Sequence, residues 1–395
     1  MARRPTIKDI ARRAGVSESA VSFALNGRPG VSEATRARIR GVAEELGWLP
    51  NSAARALSGE RSGAVGLVLA RPAHTLGVES FFLRLVSGIQ EVLAAAGIAL
   101  LFQVVEDVDA ECVVHRRWWA ERRVDGVLLV DPRTNDPRPE LLARLGLPAV
   151  LVGGQAPPPG SETAPAAAPG PAAAPAPASA PASADAPPFV TAPGSERAAD
   201  PPAPPAPGAG GGLSAVRSDD ARAMADVLAH LHALGHRRIT HIAGLPGLAH
   251  TDRRVASLRE EAARLGLPAA RVRSVPTDYS DTEGAAATRR VLAEPEPPTA
   301  LIYDNDVMAV AGSAVAAELG IPVPGRLSVV AWDDSPLCRV THPRLTALVR
   351  DTAAFGRLAA EELLALLAGG APRTRESEPP RLEPRESTAP PPAAY

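Results

Sequence analysis

Cysteine is scarce: Cys112 and Cys338 are the only two in 395 residues. They are too far apart in sequence to suggest a disulfide framework or a cysteine zinc site, and they fit a reducing compartment. Long apolar runs are missing as well. None approaches membrane-spanning length, and no apolar stretch follows the basic start MARRPTIKDI as it would in a secretory leader. A cytoplasmic chain that does not enter a membrane is expected. Lysine is almost absent, with Lys8 alone and arginine used everywhere else.

Signatures of catalysis are lacking too. No G-x-S-x-G elbow comes with a plausible triad. The glycines of 208–212 sit in a low-complexity tract, without the strand-to-helix setting of a phosphate loop. His230, His232, His236 and His241 look like a cluster, but Gly235 ends the helix between them and no Cys or carboxylate completes metal spacing. No enzyme, metal or cofactor is expected. Trp118 and Trp119 read as packing on a surface helix, and the pairs Glu44-Glu45 and Glu260-Glu261 as solvated faces.

The net charge of -2 hides an asymmetry. Residues 1–61 hold 11 Lys+Arg against 6 Asp+Glu, about +5, which leaves about -7 for the rest. A basic head on an acidic body suits a nucleic-acid module attached to something else. Within that head, TIKDIARRAGVSESAVSFALN reads as two short helices and a turn. Ile7, Ile10, Ala11 and Ala14 recur at helical spacing behind a Thr6/Asp9 capping pair, and Gly15 breaks the helix. Ser17 then caps a second helix with Val21, Ala24 and Leu25 inward and Glu18, Ser19, Ser22 and Phe23 on the other side. This is a helix-turn-helix, although an ordinary helical hairpin would share these features. Ser32 caps a third helix with Ile39, Val42 and Leu46 inward, and 51–59 reads as a short helix too poor in apolar surface to stand without a partner.

From Ala64 onward, apolar β-type runs alternate with amphipathic helices, at 109–122, 138–145, 219–234, 252–265, 281–293, 305–319 and 352–368. The pattern predicts open parallel sheets with helices on both faces. Residues 156–212, dominated by Ala, Pro and Gly, interrupt it and are expected to be a disordered insertion at the crossover between two α/β units.

The order TIKDIARRAGVSESAVS, GWLPNSAARAL, VDGVLL, LGHRRITHIAG, NDVMA, SVVAWDDS, HPRLTAL and RESTA resembles the lactose repressor (LacI/GalR) family of bacterial transcription regulators, over almost the whole chain outside the insertion. The resemblance implies a homodimer with an N-terminal DNA-binding domain, a hinge helix and a two-lobed sensor like periplasmic sugar-binding proteins. Its ligand would be a small molecule of the sugar class in the cleft between lobes; operator DNA would be the other partner, and the nucleoid the place of work. On this reading 1–49 is the helix-turn-helix domain, 50–62 the hinge, 63–155 with 352–371 one lobe, and 213–349 with 379–389 the other.

The resemblance assigns DNA contact to Thr6, Ser17, Glu18, Ser19, Ser22, Phe23, Asn26, Asn51, Ala54, Arg55 and Leu57. Glu18, Ser19 and Phe23 match base-reading positions, and Leu57 matches a leucine wedged into the minor groove. Phe23 departs from the usual arginine. It suits a thymine methyl rather than guanine, unless it packs on the protein. In the cleft, Arg254 matches a ligand-clamping arginine, with Arg253 as the alternative; Asn305 and Asp333 match hydroxyl binders, Tyr279 a stacking aromatic, and Arg350 a crossover position. Such groups suit a polyhydroxylated ligand. Asn305 with Asp306, and Asp333 with Asp334, would equally serve as caps. His74, Glu79 and Phe82 are further cleft candidates. Gly153 stands where some members carry aspartate, and Ser257 and Ala331 where glycine is usual. A sugar-binding sensor with a silent head, and an α/β enzyme with a fused regulatory head, are the competing readings; the missing catalytic constellation speaks against the second.

Overall fold

The computed structural model describes residues 5–25, 27–48, 61–71, 80–154 and 212–392. Asn26, the hinge with Asn51, Ala54, Arg55 and Leu57, the cleft candidates His74 and Glu79, and all of the insertion except Gly212 lie outside the described residues.

The head folds as its sequence patterning dictates. Helices α1 (Ile7–Ala14), α2 (Glu18–Leu25) and α3 (Glu33–Glu45) enclose a small core of Ile10, Ala11, Ala14, Val21, Ala24, Ile39 and Ala43. Gly15, at φ 65°, turns the chain out of α1, and the Ser32 hydroxyl accepts the Thr35 N–H at the start of α3.

Two α/β lobes follow. The first sheet is built from β1 (Ala64–Ala70), β2 (Ala99–Val105), β3 (Gly126–Leu129), β4 (Ala149–Val152), β5 (Leu213–Arg217) and, late in the chain, β11 (Thr374–Glu376), in the order β11-β5-β4-β3-β1-β2. Helices α4 (Ser80–Ala95), α5 (Val108–Ala120) and α6 (Arg138–Leu145) alternate with its strands. The second sheet, β12-β10-β9-β8-β6-β7, uses β6 (Ile239–Ala243), β7 (Val272–Pro276), β8 (Ala300–Tyr303), β9 (Ser328–Ala331), β10 (Thr346–Val349) and β12 (Arg381–Glu383). With it run α7 (Asp220–Ala233), α8 (Ala249–Arg264), α9 (Asp281–Leu292), α10 (Asp306–Glu318) and the short α11 (Pro336–Val340). All ladders are parallel except β10 with β12. Strands buried on both faces explain the continuous apolar runs: Leu67, Leu128 and Val150 face one core of the first lobe, Val68, Val127 and Leu151 the other.

The lobe boundary differs from the sequence expectation. Leu213–Arg217 belongs to the first lobe, pairing in parallel with β4. Alternation alone does not say which sheet a strand joins. Here Ala215 and Val216 complete the first lobe's two cores, and Ser214 Oγ donates to Glu362 Oε1 at 2.9 Å. The chain therefore crosses at 218, not 213, and the insertion links two adjacent strands of one sheet rather than the two lobes. Crossings recur at 350–351, before α12 (Thr352–Leu367) returns to the first lobe, and between β11 and β12. β11 lies in a stretch expected to be loop, and its pairing with β5 extends the first lobe to 376.

Two further expectations are corrected, and the packing expected of Trp118 is observed. Helix α8 starts at Ala249, three residues before the predicted Asp252, because the turn ahead of it is held by the other lobe. Trp118 is fully buried, set so tightly over Gly66 that a Cβ there would lie 2.5 Å from its ring. Glu261 is buried beside Arg264, whereas Glu260 is exposed.

Helices α4 and α12 cross through two glycines. A Cβ on Gly88 would lie 1.9 Å from the Ala353 carbonyl oxygen, and one on Gly356 would lie 2.2 Å from the Leu85 carbonyl oxygen. Neither backbone gives way without moving a helix. Gly88→Ala and Gly356→Ala are each expected to lower stability by about 1–3 kcal/mol or more, read as a lower urea midpoint; an unchanged midpoint for both refutes this account of the crossing.

Candidate functional site

In the head, α2 presents the face expected to read DNA. The Ser17 hydroxyl accepts the Ala20 N–H at 3.2 Å and starts the helix, leaving Glu18 and Ser19 exposed and Ser22 half-buried. Phe23 divides between its two readings: its ring rests near Gly30, with a Cβ there 3.5 Å from it, yet 39% of the residue stays exposed. Thr6 gives its hydroxyl and its N–H to the Asp9 carboxylate, at 2.7 and 2.9 Å, so its side chain serves the start of α1. Lys8, Arg12 and Arg28 are exposed near this face.

Arg36, a residue the sequence reading passed over, fixes the far end of α2. From α3 its guanidinium donates to the Ala24 carbonyl at 2.9 Å, the Phe23 carbonyl at 3.3 Å and the Arg28 carbonyl at 2.9 Å. These include helix-terminal acceptors that would otherwise lack partners. The signal was there to be read: Arg36 sits three residues before Ile39, on the inward stripe of α3. Arg36→Ala is expected to cost about 1–3 kcal/mol of head stability and to weaken operator binding more than removal of the exposed Arg38; equal, small effects of both substitutions would refute this role.

In the sensor, the C-terminal strand ends of the two sheets face each other across a cleft, the usual place for a ligand in open α/β sheets. It encloses about 760 Å³ of empty space, counting solvent at its mouth. Arg71 enters after β1, Asp131 after β3, Gly153 after β4 and Ser218 after β5. From the other lobe come Tyr279 after β7, Asp304, Asn305 and Asp306 after β8, Asp333 after β9, and His250 and Arg254 from α8. Arg350 lies at the second crossing. Arg254, Tyr279, Asn305, Asp333, Arg350 and Phe82, picked from sequence, thus line one cavity. Arg71, Asp131, Asp220, His250 and Asp304 were missed, and no spacing in the sequence marked them.

Polar pairing inside is dense. Arg254 lies 3.9 Å over the Trp332 ring and donates to Asp304 Oδ1 at 2.9 Å. Asp304 also meets His241 Nε2 at 3.0 Å and accepts the Gly244 N–H at 2.8 Å. Burial alone would raise its carboxyl pKa; the charges of His241 and Arg254 prevail and hold it well below the usual range. Arg71 bonds Asp131 at 2.6 Å and Arg350 meets Asp333 at 2.5 Å. Arg253, the alternative clamp, reaches the rim instead, donating to the Gly153 carbonyl at 2.7 Å and to Asp220 at 2.8 Å. Asn305 is a cap in this structure: its Oδ1 accepts the Met308 N–H, and its Nδ2 donates to the Tyr279 carbonyl. Tyr279 does not offer an open stacking platform. Arg71 covers its ring at 4.9 Å, a Cβ on Gly244 would lie 1.8 Å from it, and its hydroxyl is shared with His250 and Thr251.

The cleft is closed by contacts between lobes. Thr134 Oγ1 donates to Asp252 at 2.7 Å, the Thr134 and Ala249 N–H groups bond Gly247 and Pro132 carbonyls, and Arg84 donates to the Asp334 carbonyl at 3.1 Å. The other histidines of the apparent cluster are apart from the cleft: His236 bonds Thr299, Ser328 and the Ala389 carbonyl, and His230 meets Thr388.

Comparison with known proteins places both halves. Residues 6–51 match the model for bacterial regulatory proteins of the lacI family, and residues 228–388 match the periplasmic binding protein-like domain. The crystal structure of a LacI family transcriptional regulator from Bifidobacterium animalis subsp. lactis is 32% identical, with 84% of this chain and 100% of that one covered and a TM-score of 0.64. The chain belongs to the LacI family. It is a ligand-responsive, DNA-binding regulator of transcription, and its relatives are regulators rather than enzymes. The HTH-type transcriptional regulator CelR of Thermobifida fusca is 28% identical over 96% of this chain and 95% of its own length. A structure titled as the CelR–cellobiose complex is 26% identical, covering 97% and 100%, with a TM-score of 0.62. The lac repressor dimer bound to operator, 22% identical with a TM-score of 0.71, shares the fold. No described helix of this LacI-family chain is long and apolar enough to cross a membrane.

The pH response of the sensor follows from two histidines, His236 buried and His250 half-buried. Burial, with Arg254 adjoining, pushes His250 down to about 4, and burial does the same to His236, against an ordinary value of 6.5. Each is neutral when folded, so the unfolded chain takes up more protons in between, and stability present above pH 6.5 is lost as pH falls toward 4. Melting temperature is expected to drop across that window, less steeply in His250→Gln; a flat profile, or one that rises, contradicts this assignment.

Proposed function

We propose that this chain is a repressor that binds a pseudo-palindromic operator as a homodimer and senses a sugar-like, polyhydroxylated metabolite. It works in the cytoplasm, at the nucleoid. The observation that carries the sugar reading is the crowding of carboxylates, guanidinium groups and an amide around one closed cavity, the chemistry that pairs with vicinal hydroxyls. The cellobiose complex of CelR supports the same class. Glu18, Ser19 and Phe23 read bases, while Ser17, Ser22 and Thr6 with the basic residues nearby hold phosphates. Arg254, Tyr279, Asn305, Asp333, Arg350 and Phe82 form the sensor site, with His74 as a further ligand contact on the family resemblance.

On this reading 1–49 is the DNA head and 50–62 the hinge, with Asn51, Ala54, Arg55 and the wedge Leu57. One lobe comprises 63–218 with 352–376, the other 219–350 with 381–389, and the insertion is an inert tether. Ligand in the cleft changes the relative population of open and closed lobes, and so the order of the hinge helices at the dimer axis.

The test is a gel shift of the full chain on its own upstream DNA. Binding is expected to require both half-sites of a palindrome and to weaken steeply with salt. Phe23→Arg is expected to move the preference at one base pair per half-site from thymine toward guanine, by about 1–3 kcal/mol. Salt-insensitive or palindrome-independent binding sinks the operator reading, and an unaltered base preference removes Phe23 from it.

A further inference from the structure

The cavity is lined by three arginines and five aspartates: Arg71, Arg254 and Arg350 against Asp131, Asp220, Asp304, Asp306 and Asp333. Every lining guanidinium already has its own carboxylate. Arg71 holds Asp131, Arg254 holds Asp304, and Arg350 holds Asp333, at 2.6, 2.9 and 2.5 Å. Asp220 is met at 2.8 Å by Arg253 from the rim. Asp306 alone has no cation partner in this scheme. It is only 4% exposed, and burial raises its pKa; its Oδ2 has no hydrogen-bond partner, although the carboxylate takes hydrogen bonds from the Ser335 hydroxyl and from the Val307 and Asp306 backbone N–H groups. The hydroxyl of Ser218, on the facing lobe, is likewise buried without a partner. Arg254 Nε is unbonded too, but it lies on the Trp332 ring and its charge is met by Asp304.

From this charge balance we propose that the effector is an uncharged sugar, one of whose hydroxyls donates to Asp306 Oδ2, and that sugar acids and sugar phosphates are rejected. The proposal rests on the reading of the cavity as a sugar site. An anionic group entering here finds no guanidinium to spare and faces an unmatched carboxylate at low dielectric, where like charges repel strongly. A hydroxyl finds an acceptor oxygen whose desolvation is compensated only in part. Asp306 is therefore a specificity residue: it selects donors and excludes acceptors that carry charge.

The experiment is calorimetric titration of the full chain with matched neutral and acidic probes: glucose and glucuronate, galactose and galacturonate, cellobiose and cellobionate. At least one neutral member is expected to bind, with its acid at least tenfold weaker. Asp306→Asn, nearly isosteric, is expected to weaken the neutral probe about tenfold and to narrow the gap to its acid; its melting curve without probe reports whether it folds. An acid that binds as tightly as its neutral partner to the unaltered chain overturns the charge inference and leaves the sugar reading standing, whatever the variant does. Binding by no member of any pair overturns the sugar reading and the inference with it.

Discussion

The sensor is assembled around a buried ion pair. Arg254 and Asp304 come from different elements, the helix after β6 and the loop after β8, and meet at 2.9 Å almost out of reach of water. Taking two such charges from solvent is costly, and their mutual attraction offsets the cost only when further partners complete each one. Trp332 beneath the guanidinium, and His241 with the Gly244 N–H around the carboxylate, complete them. Trp332 and Gly244 directly follow β9 and β6 of the same sheet, and His241 lies within β6. The pair thus sets the spacing of the strand ends from which the cavity wall is made, and the wall's remaining groups take their places relative to it.

The charge arrangement gives the cleft an unusual economy. Each arginine on the wall already faces a carboxylate, and their planar heads also cover aromatic faces at Tyr279, Trp332 and Phe81. Among the wall atoms left without a hydrogen bond are a carboxylate oxygen of Asp306 and the Ser218 hydroxyl, on opposing lobes. A ligand that touches both would join the lobes through its own hydrogen bonds, adding to the clasp at Thr134 and Asp252. The same contacts that recognise it then also favour closure.

The sequence was informative where the physics is local. Helix starts at Ser17 and Ser32, the break at Gly15 and the apolar stripes of the head depend on neighbours a few residues away, and they fold as spacing suggests. Strand and helix alternation in the sensor was likewise legible. What escaped depends on partners far along the chain. Strand β5 joins the first sheet because of β4 and Glu362, and α8 begins early because Pro132 and Arg133 hold its first turn. The acceptors that give Arg36 its role come from α2 and the turn after it, which spacing within α3 does not reveal. Tyr279 read as an open ring, and only Arg71 and Gly244, remote in sequence, show that it is clamped. Family resemblance located much of the cleft wall; it did not reveal how fully those groups satisfy one another.

The threefold crossing between lobes bears on how the protein is made. Strand β11 completes the first sheet and β12 the second, and the Ser387 hydroxyl ties the tail to Val329 in the second lobe's interior. During synthesis the head emerges first and needs nothing downstream for its core, whereas neither sensor sheet is whole until the tail has left the ribosome. A nascent chain therefore carries a folded head well before it owns a working sensor. Chains released short of β11 would keep that head but lack an edge strand of each sensor sheet, so the tail decides whether a molecule can be switched at all.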